Sequence, residues 1–169
     1  MQFIILGHGD PKFREAFTKL ESQFPKQVGT HLMPNWQLPR KIYAGADMFI
    51  LPSKFEPGGI VVVEAMRYGA VPVVRETGGL ADTVADFDIG ENTGTGFTFR
   101  DFSELSFFGA LSRALEIYKS KRLWQGIVKR AMQADFSWAT SAEKYKNLYN
   151  RATNFRREAL SDNPAPAFR

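Results

Sequence analysis

The chain has 169 residues, 44% hydrophobic and 24% charged, a globular composition that excludes intrinsic disorder and a fibre. No apolar run approaches the ~18 residues of a membrane span, and the first residues do not read as a signal peptide. With no cysteine, the chain can have no disulfide scaffold, thiol nucleophile or cysteine-zinc site, and it fits a cytoplasmic setting. Net charge +4 and pI 9.4 suit an anionic partner, but 22 basic against 18 acidic residues is too small an excess to imply nucleic acid.

Phe3-Ile4-Ile5-Leu6 is a short unbroken apolar run, predicting a buried strand stopped by Gly7-His8-Gly9. Asp10-Pro11 supplies an N-cap and a proline at the first helical position. Phe13, Phe17, Leu20 and Phe24 then mark an amphipathic helix ending near Pro25. Further strands are expected at 47–51, after a short helix at 38–44, at 71–74, and in the short piece Phe97-Thr98-Phe99. Short apolar strands separated by helical stretches predict an α/β domain with a parallel sheet covered on both faces. The last third reads as three helices, marked by Leu105, Phe108, Leu111, Leu115 and Tyr118, then Leu123, Ile127 and Ala131, then Trp138, Ala142, Tyr145, Tyr149 and Ala152. Ser137 caps the third, and the tail from Ser161 is expected to fray. Neither an internal repeat nor a long linker is visible, so one domain is expected.

Chemistry concentrates in 52–69, at the C-terminal end of an expected strand, where open α/β sheets place their ligands. Gly58 and Gly59 let backbone approach a ligand, and a helix starting there would offer free N–H groups to a pyrophosphate. Ile60 to Val63 is β-branched and by propensity alone a strand, whereas Glu64-Ala65-Met66-Arg67 is good helix sequence stopped by Gly69. A helix over 59–68 is expected, because a strand would follow its predecessor after only a tight turn. Two carboxylates frame this bend. Glu56 before the helix can meet a sugar and Glu64 beyond its first turn can face a nucleoside; the plainer alternatives are a loop carboxylate for Glu56 and a Glu64–Arg67 ion pair. Gly7-His8-Gly9-Asp10 lacks the third glycine of a dinucleotide fingerprint and reads better as a tight turn. His8 and His31 have no metal-ligand spacing, and no Gly-x-Ser-x-Gly elbow or Walker lysine motif is present. Lys144, Lys146, Arg151, Arg156 and Arg157 form a solvated face.

Lys41-Ile42-Tyr43-Ala44-Gly45-Ala46-Asp47, Pro52-Ser53-x-Phe55-Glu56-Pro57-x-Gly59, Ala65-Met66-Arg67-Tyr68-Gly69 and Arg75-x-Thr77-Gly78-Gly79-Leu80-Ala81-Asp82-Thr83-Val84 follow in order. With Gly94-Thr95-Gly96-Phe97 and Phe136-Ser137-Trp138, they resemble the C-terminal, donor-binding half of the bacterial glycogen synthase and starch synthase family across most of the chain. The resemblance implies half of a GT-B fold: a Rossmann-like, doubly wound parallel sheet with flanking helices. It implies transfer of glucose from ADP-glucose, less often UDP-glucose, to the 4-position of an α-1,4-glucan with retention and without a cofactor or catalytic metal. Glu56 matches the glutamate at the transferred glucose. Gly58, Gly59 and Ile60 match the loop and helix start facing the donor sugar and phosphates, and Thr77, Gly78 and Gly79 a neighbouring loop that closes the pocket.

Departures from the family pattern are also visible. Gly58 stands where members usually carry cysteine, and Glu64 where many bacterial members have a non-acidic residue; in other retaining GT-B families a glutamate there binds the ribose. Met33-Pro34 replaces a Gly-Tyr pair, which leaves the base preference open. The arginine and lysine that meet the donor phosphates, and the N-terminal acceptor domain, have no counterpart. The expectation is therefore a partial donor domain over 1–160, lacking its first strand and helix, with a frayed tail at 161–169. Such a chain is expected to be inactive alone. Its expected partners are the nucleotide-sugar donor, the glucan acceptor and an acceptor domain, with neither nucleic acid nor membrane, and its expected site is the cytoplasm, or a plastid in a plant or alga. The alternatives are a non-catalytic nucleotide-sugar-binding module, another retaining GT-B transferase and, weakest, a nucleic-acid binder.

Overall fold

The computed structural model describes residues 1–33 and 37–162. Pro34 and the tail beyond 162 lie outside the described residues. Internal contacts divide the chain into one compact unit over Met1–Gln133 and a second beginning at Ala134.

In the first unit the order is β1 (Phe3–Leu6), α1 (Pro11–Gln23), β2 (Val28–His31), α2 (Leu38–Gly45), β3 (Met48–Leu51), α3 (Ile60–Arg67), β4 (Val71–Arg75), α4 (Gly79–Thr83), β5 (Phe97–Phe99), α5 (Glu104–Tyr118) and α6 (Lys121–Gln133). Every pair of these strands is parallel. The fold is thus the expected α/β arrangement of parallel strands with flanking helices. The strands form two sheets, β1-β2 and β3-β4-β5, and no described strand hydrogen-bonds β1 to β3.

That break explains a correction. β1 was expected to be buried, yet Phe3 is 37% and Ile4 52% exposed, because only one edge of the strand is paired. The α1 stripe is likewise only half covered, and no α1 residue is fully buried. Local chemistry still builds the unit: the Asp10 carboxylate accepts from the Lys12 amide at 2.8 Å, with Pro11 at the first helical position. Glu21 of α1 accepts from the Thr30 amide at 3.0 Å and from its hydroxyl, tying helix to strand. These bonds hold the Glu21 carboxyl below its ordinary value. β2 escaped the sequence reading because Val28-Gly29-Thr30-His31 has a single aliphatic side chain. It is recognisable only as the parallel partner that β1 needs.

The second sheet carries the core. β4 is central, and Val71, Val73 and Val74 are wholly buried. On one face Val71, Val73, Phe87, Phe97 and Phe99 pack against Ala110, Ala114, Trp124 and Ile127 of α5 and α6. Phe97 stacks on Trp124 at 6.3 Å between ring centroids. On the other, Tyr43, Ala65 and Ala70 pack with Phe49, whose ring meets Tyr43 edge-on at 5.4 Å. The stripe expected on α5 is rotated. Leu105 and Phe108 are 80% and 65% exposed, and Ala110 and Ala114 turn inward, because small side chains let the helix lie close on β5.

The second unit contains α7 (Trp138–Asp162), opened by Ser137, whose hydroxyl accepts from the Thr140 amide at 3.4 Å. Among the described residues no helix is long and apolar enough to cross a membrane.

Truncating the aromatic core should expose this hierarchy. Phe97→Ala is expected to lower unfolding stability by about 3–5 kcal/mol in denaturant titration. In hydrogen exchange, the amides of Val71 and of residues 73–75 are expected to be the most protected and those of 3–6 among the fastest.

Candidate functional site

The site is assembled from the loops that leave the C-terminal ends of β3 and β4. The first, residues 52–59, ends on Gly59 at a positive φ of 65°, the N-cap of α3. α3 forms although Ile60 to Val63 is β-branched, because Val62, Ala65 and Met66 are buried completely once the segment crosses back over the sheet. The expected helix 59–68 is observed as Ile60–Arg67.

Glu56 is half-buried, and its carboxylate accepts from the Gly59 amide at 3.2 Å, so it sits at the positive end of α3. Gly58 is exposed, and a Cβ added there would meet only Ile60 Cγ1 at 4.0 Å, so the position accepts a larger side chain. Ile60 is 73% exposed. Gly58 and Ile60 thus face solvent on either side of Gly59, which is itself buried.

The second loop, at Thr77-Gly78-Gly79, packs backbone to backbone against the first. The Gly79 amide donates to the Glu56 carbonyl at 3.0 Å and the Pro57 carbonyl at 3.2 Å. A Cβ on Gly78 would lie 2.1 Å from the Glu56 carbonyl oxygen, and one on Gly79 would lie 2.6 Å from that of Gly58. Gly78 also has a positive φ of 48°. The turn Thr77-Gly78-Gly79 thus stands beside Glu56, Pro57 and Gly58.

Glu64 lies about 6 Å further along the helix axis at 1.5 Å per residue. Its partner is Arg40 of α2, at 4.0 Å, and not Arg67, whose guanidinium instead donates to the Met132 carbonyl at 2.7 Å. The alternative reading of Glu64 as an i,i+3 partner of Arg67 is therefore set aside. Burial, followed by the nearby Glu64 charge, pushes the Tyr43 hydroxyl above its ordinary value.

A polar network behind the second loop escaped the sequence reading. Glu76 accepts from the Thr98 hydroxyl at 2.7 Å and Arg100 Nε at 2.8 Å. Arg113 clamps Asp86 with two bonds of 2.9 and 2.8 Å, and Asp86 accepts from the Thr98 amide at 2.7 Å. No single motif announces these residues; only the pairing of β4 with β5 brings them together. The Thr98 and Arg100 bonds hold the Glu76 carboxyl below its ordinary 4.5.

Two outcomes follow from this geometry. Gly78→Ala is expected to cost about 2–3 kcal/mol in thermal unfolding, through positive-φ strain and the clash with the Glu56 carbonyl. Because the folded Glu76 carboxyl titrates low, its stabilisation is full above 4.5 and is lost as pH falls through the depressed folded value. Glu76→Gln is therefore expected to be less stable than wild type at neutral pH, with the difference shrinking in acid.

Residues 1–125 match the family model described as glycosyl transferases group 1. The chain is 44% identical over 157 residues to a glycogen synthase of Thermosipho melanesiensis, covering 92% of this chain and 33% of that protein. It is 48% identical over 150 residues to a glycogen synthase of Anoxybacillus flavithermus, covering 89% of this chain and 31% of the relative. The catalytic domain of starch synthase IV from Arabidopsis thaliana, solved bound to ADP and acarbose, superposes with a TM-score of 0.76 at 41% identity, over 90% of this chain and 32% of that one. The chain thus spans about a third of the length of these relatives. From its parallel α/β fold and the match over residues 1–125, the chain belongs to the glycosyl transferases group 1 family.

Proposed function

We propose that this chain forms the donor-binding part of an α-glucan synthase that transfers glucose from ADP-glucose, or UDP-glucose, to the 4-hydroxyl end of an α-1,4-glucan with retention. The observation that carries the reading is the start of α3, with the Glu56 carboxylate folded onto the Gly59 amide, Gly58 and Ile60 exposed on either side and the Thr77–Gly79 turn locked alongside. The glycogen synthase relatives support a glucan product, and the ADP in the starch synthase IV relative favours an adenine donor.

Cleavage of the donor leaves a nucleoside diphosphate gaining negative charge and a glucosyl group with oxocarbenium character. The amides at 58–60 are already oriented at the end of a helix, so they stabilise the leaving diphosphate without reorganising as charge develops. Donor phosphate arriving there competes with Glu56 for the Gly59 amide, which frees the carboxylate to hold the hexose hydroxyls. The role assigned to Glu56 is positioning and charge relief, without a covalent intermediate. Glu64 is assigned to the nucleoside ribose, and Thr77, Gly78 and Gly79 to the wall of the donor pocket. The reading includes no cofactor or catalytic metal, places the protein in the cytoplasm, and takes acceptor binding to need a further domain.

Calorimetric titration of the chain with ADP-glucose checks the donor site. Saturable binding that is abolished by Glu56→Gln and by Gly59→Val is expected, since a Cβ at 59 would already lie 2.8 Å from Leu80 Cδ2. Absence of binding by the wild-type chain would reject the reading. Elongation of a glucan primer by this chain alone is expected to be negligible.

A further inference from the structure

Arg75 is the last residue of β4, the central strand of the three-stranded sheet, and no role has been assigned to it above. Its guanidinium reaches sideways to the loops of both neighbouring strands. Nε donates to the Ser53 carbonyl at 3.0 Å and Nη2 to the Lys54 carbonyl, both in the loop after β3. Nη1 donates to the Arg100 carbonyl at 3.0 Å, just past β5, and the group lies 5.6 Å from the centre of the Phe102 ring. No carboxylate lies within ion-pair distance of Arg75 among the described residues. Its charge is held by carbonyl dipoles and an aromatic face, an arrangement that a planar five-donor fork suits and an ammonium does not.

We propose that Arg75 is a positioning residue for the donor site, setting the pose of Glu56 by pinning the loop two and three residues before it. The loop is anchored from both sides. Upstream, Arg75 holds the Ser53 and Lys54 carbonyls; downstream, the Gly79 amide holds those of Glu56 and Pro57. Between these anchors only Phe55 remains, and with its own carbonyl held Glu56 has its side chain set across the start of α3. In Arg75→Ala the upstream anchor is lost, the loop swings from its Gly79 contact, and Glu56 leaves the Gly59 amide. This assignment rests on the donor-site reading for its consequence in binding, but the loop geometry is measurable without donor.

Hydrogen exchange on the whole 169-residue chain tests the geometry. In Arg75→Ala the Gly59 and Gly79 amides are expected to exchange at least about tenfold faster while the β4 amides keep wild-type rates. Arg75→Lys is expected to fall between the two, and millimolar guanidinium to restore slow exchange in the alanine variant where equal sodium chloride does not. ADP-glucose affinity, read by calorimetry, is expected to drop about tenfold in Arg75→Ala and to recover with guanidinium. Unchanged exchange at Gly59 and Gly79, or acceleration spread evenly over β4, would overturn the proposal, as would an unaltered affinity in the alanine variant. Failure of the wild-type chain to bind ADP-glucose would instead remove the donor reading, and exchange alone would then decide whether Arg75 holds the loop.

Discussion

The Gly79 amide lies close enough to donate to the Glu56 and Pro57 carbonyls, and this contact requires two main chains to touch where no side chain fits between them. Much of the candidate site follows from that constraint. Glycine at 78 and 79 removes the Cβ atoms that would fall inside the opposing carbonyls, and glycine at 59 supplies the positive φ that turns the loop into α3. With the backbone so held, the Glu56 carboxylate returns to the Gly59 amide and occupies the positive end of the helix. A carboxylate resting on a helix start occupies the place where the helix dipole favours negative charge. The geometry thus links the two groups assigned to the donor, the helix amides and the glutamate.

The loops meet because β3 and β4 are adjacent and parallel, so both chains leave the sheet at the same end. The strength of that platform lies in β4, whose buried residues pack against helices on both sides. Behind it, Glu76, Thr98, Arg100, Asp86 and Arg113 join the ends of β4 and β5 through charge-assisted bonds. The site therefore stands on the most deeply buried of the described strands. β1, α1 and β2 lack such support, since a two-stranded sheet with exposed Phe3 and Ile4 buries little apolar surface. The difference in burial between β1 and β4 follows their pairing, since β1 is bonded along one edge and β4 along both.

Much of the site was legible in the amino-acid order because its chemistry depends on glycines and on their neighbours in sequence. Glu56, Gly58, Gly59 and Ile60 are contiguous or nearly so, and Thr77-Gly78-Gly79 is a turn by composition alone. The partners of charged side chains were not legible. Arg67 lies three residues from Glu64, the spacing of an ion pair, yet it reaches the end of α6, while Arg40 comes from a separate helix to meet Glu64. Arg75 and Glu76 precede the turn like any strand end, and their roles become visible only with Ser53 and Phe99 on either side.

Sequence by itself determined the element types wherever a local rule was strong: the Asp10-Pro11 helix start, the apolar runs of β3 and β4, and the glycine turns. Tertiary structure decided the rest. It made a helix of the β-branched run at 60–63, because burial of Val62 and Met66 outweighs intrinsic preference, and it turned Ala110 and Ala114 inward in place of Leu105 and Phe108. It also drew β2 out of a segment with almost no apolar signal, through pairing with β1. Ladder hydrogen bonds to β1 hold β2, and close approach of the backbone selects the alanines of α5, whereas at 60–63 the reason is the size of the buried side chains. Local propensities differ by less than about 1 kcal/mol per residue, whereas burying one large side chain contributes about 1.5–3 kcal/mol, so the face that meets a neighbour prevails.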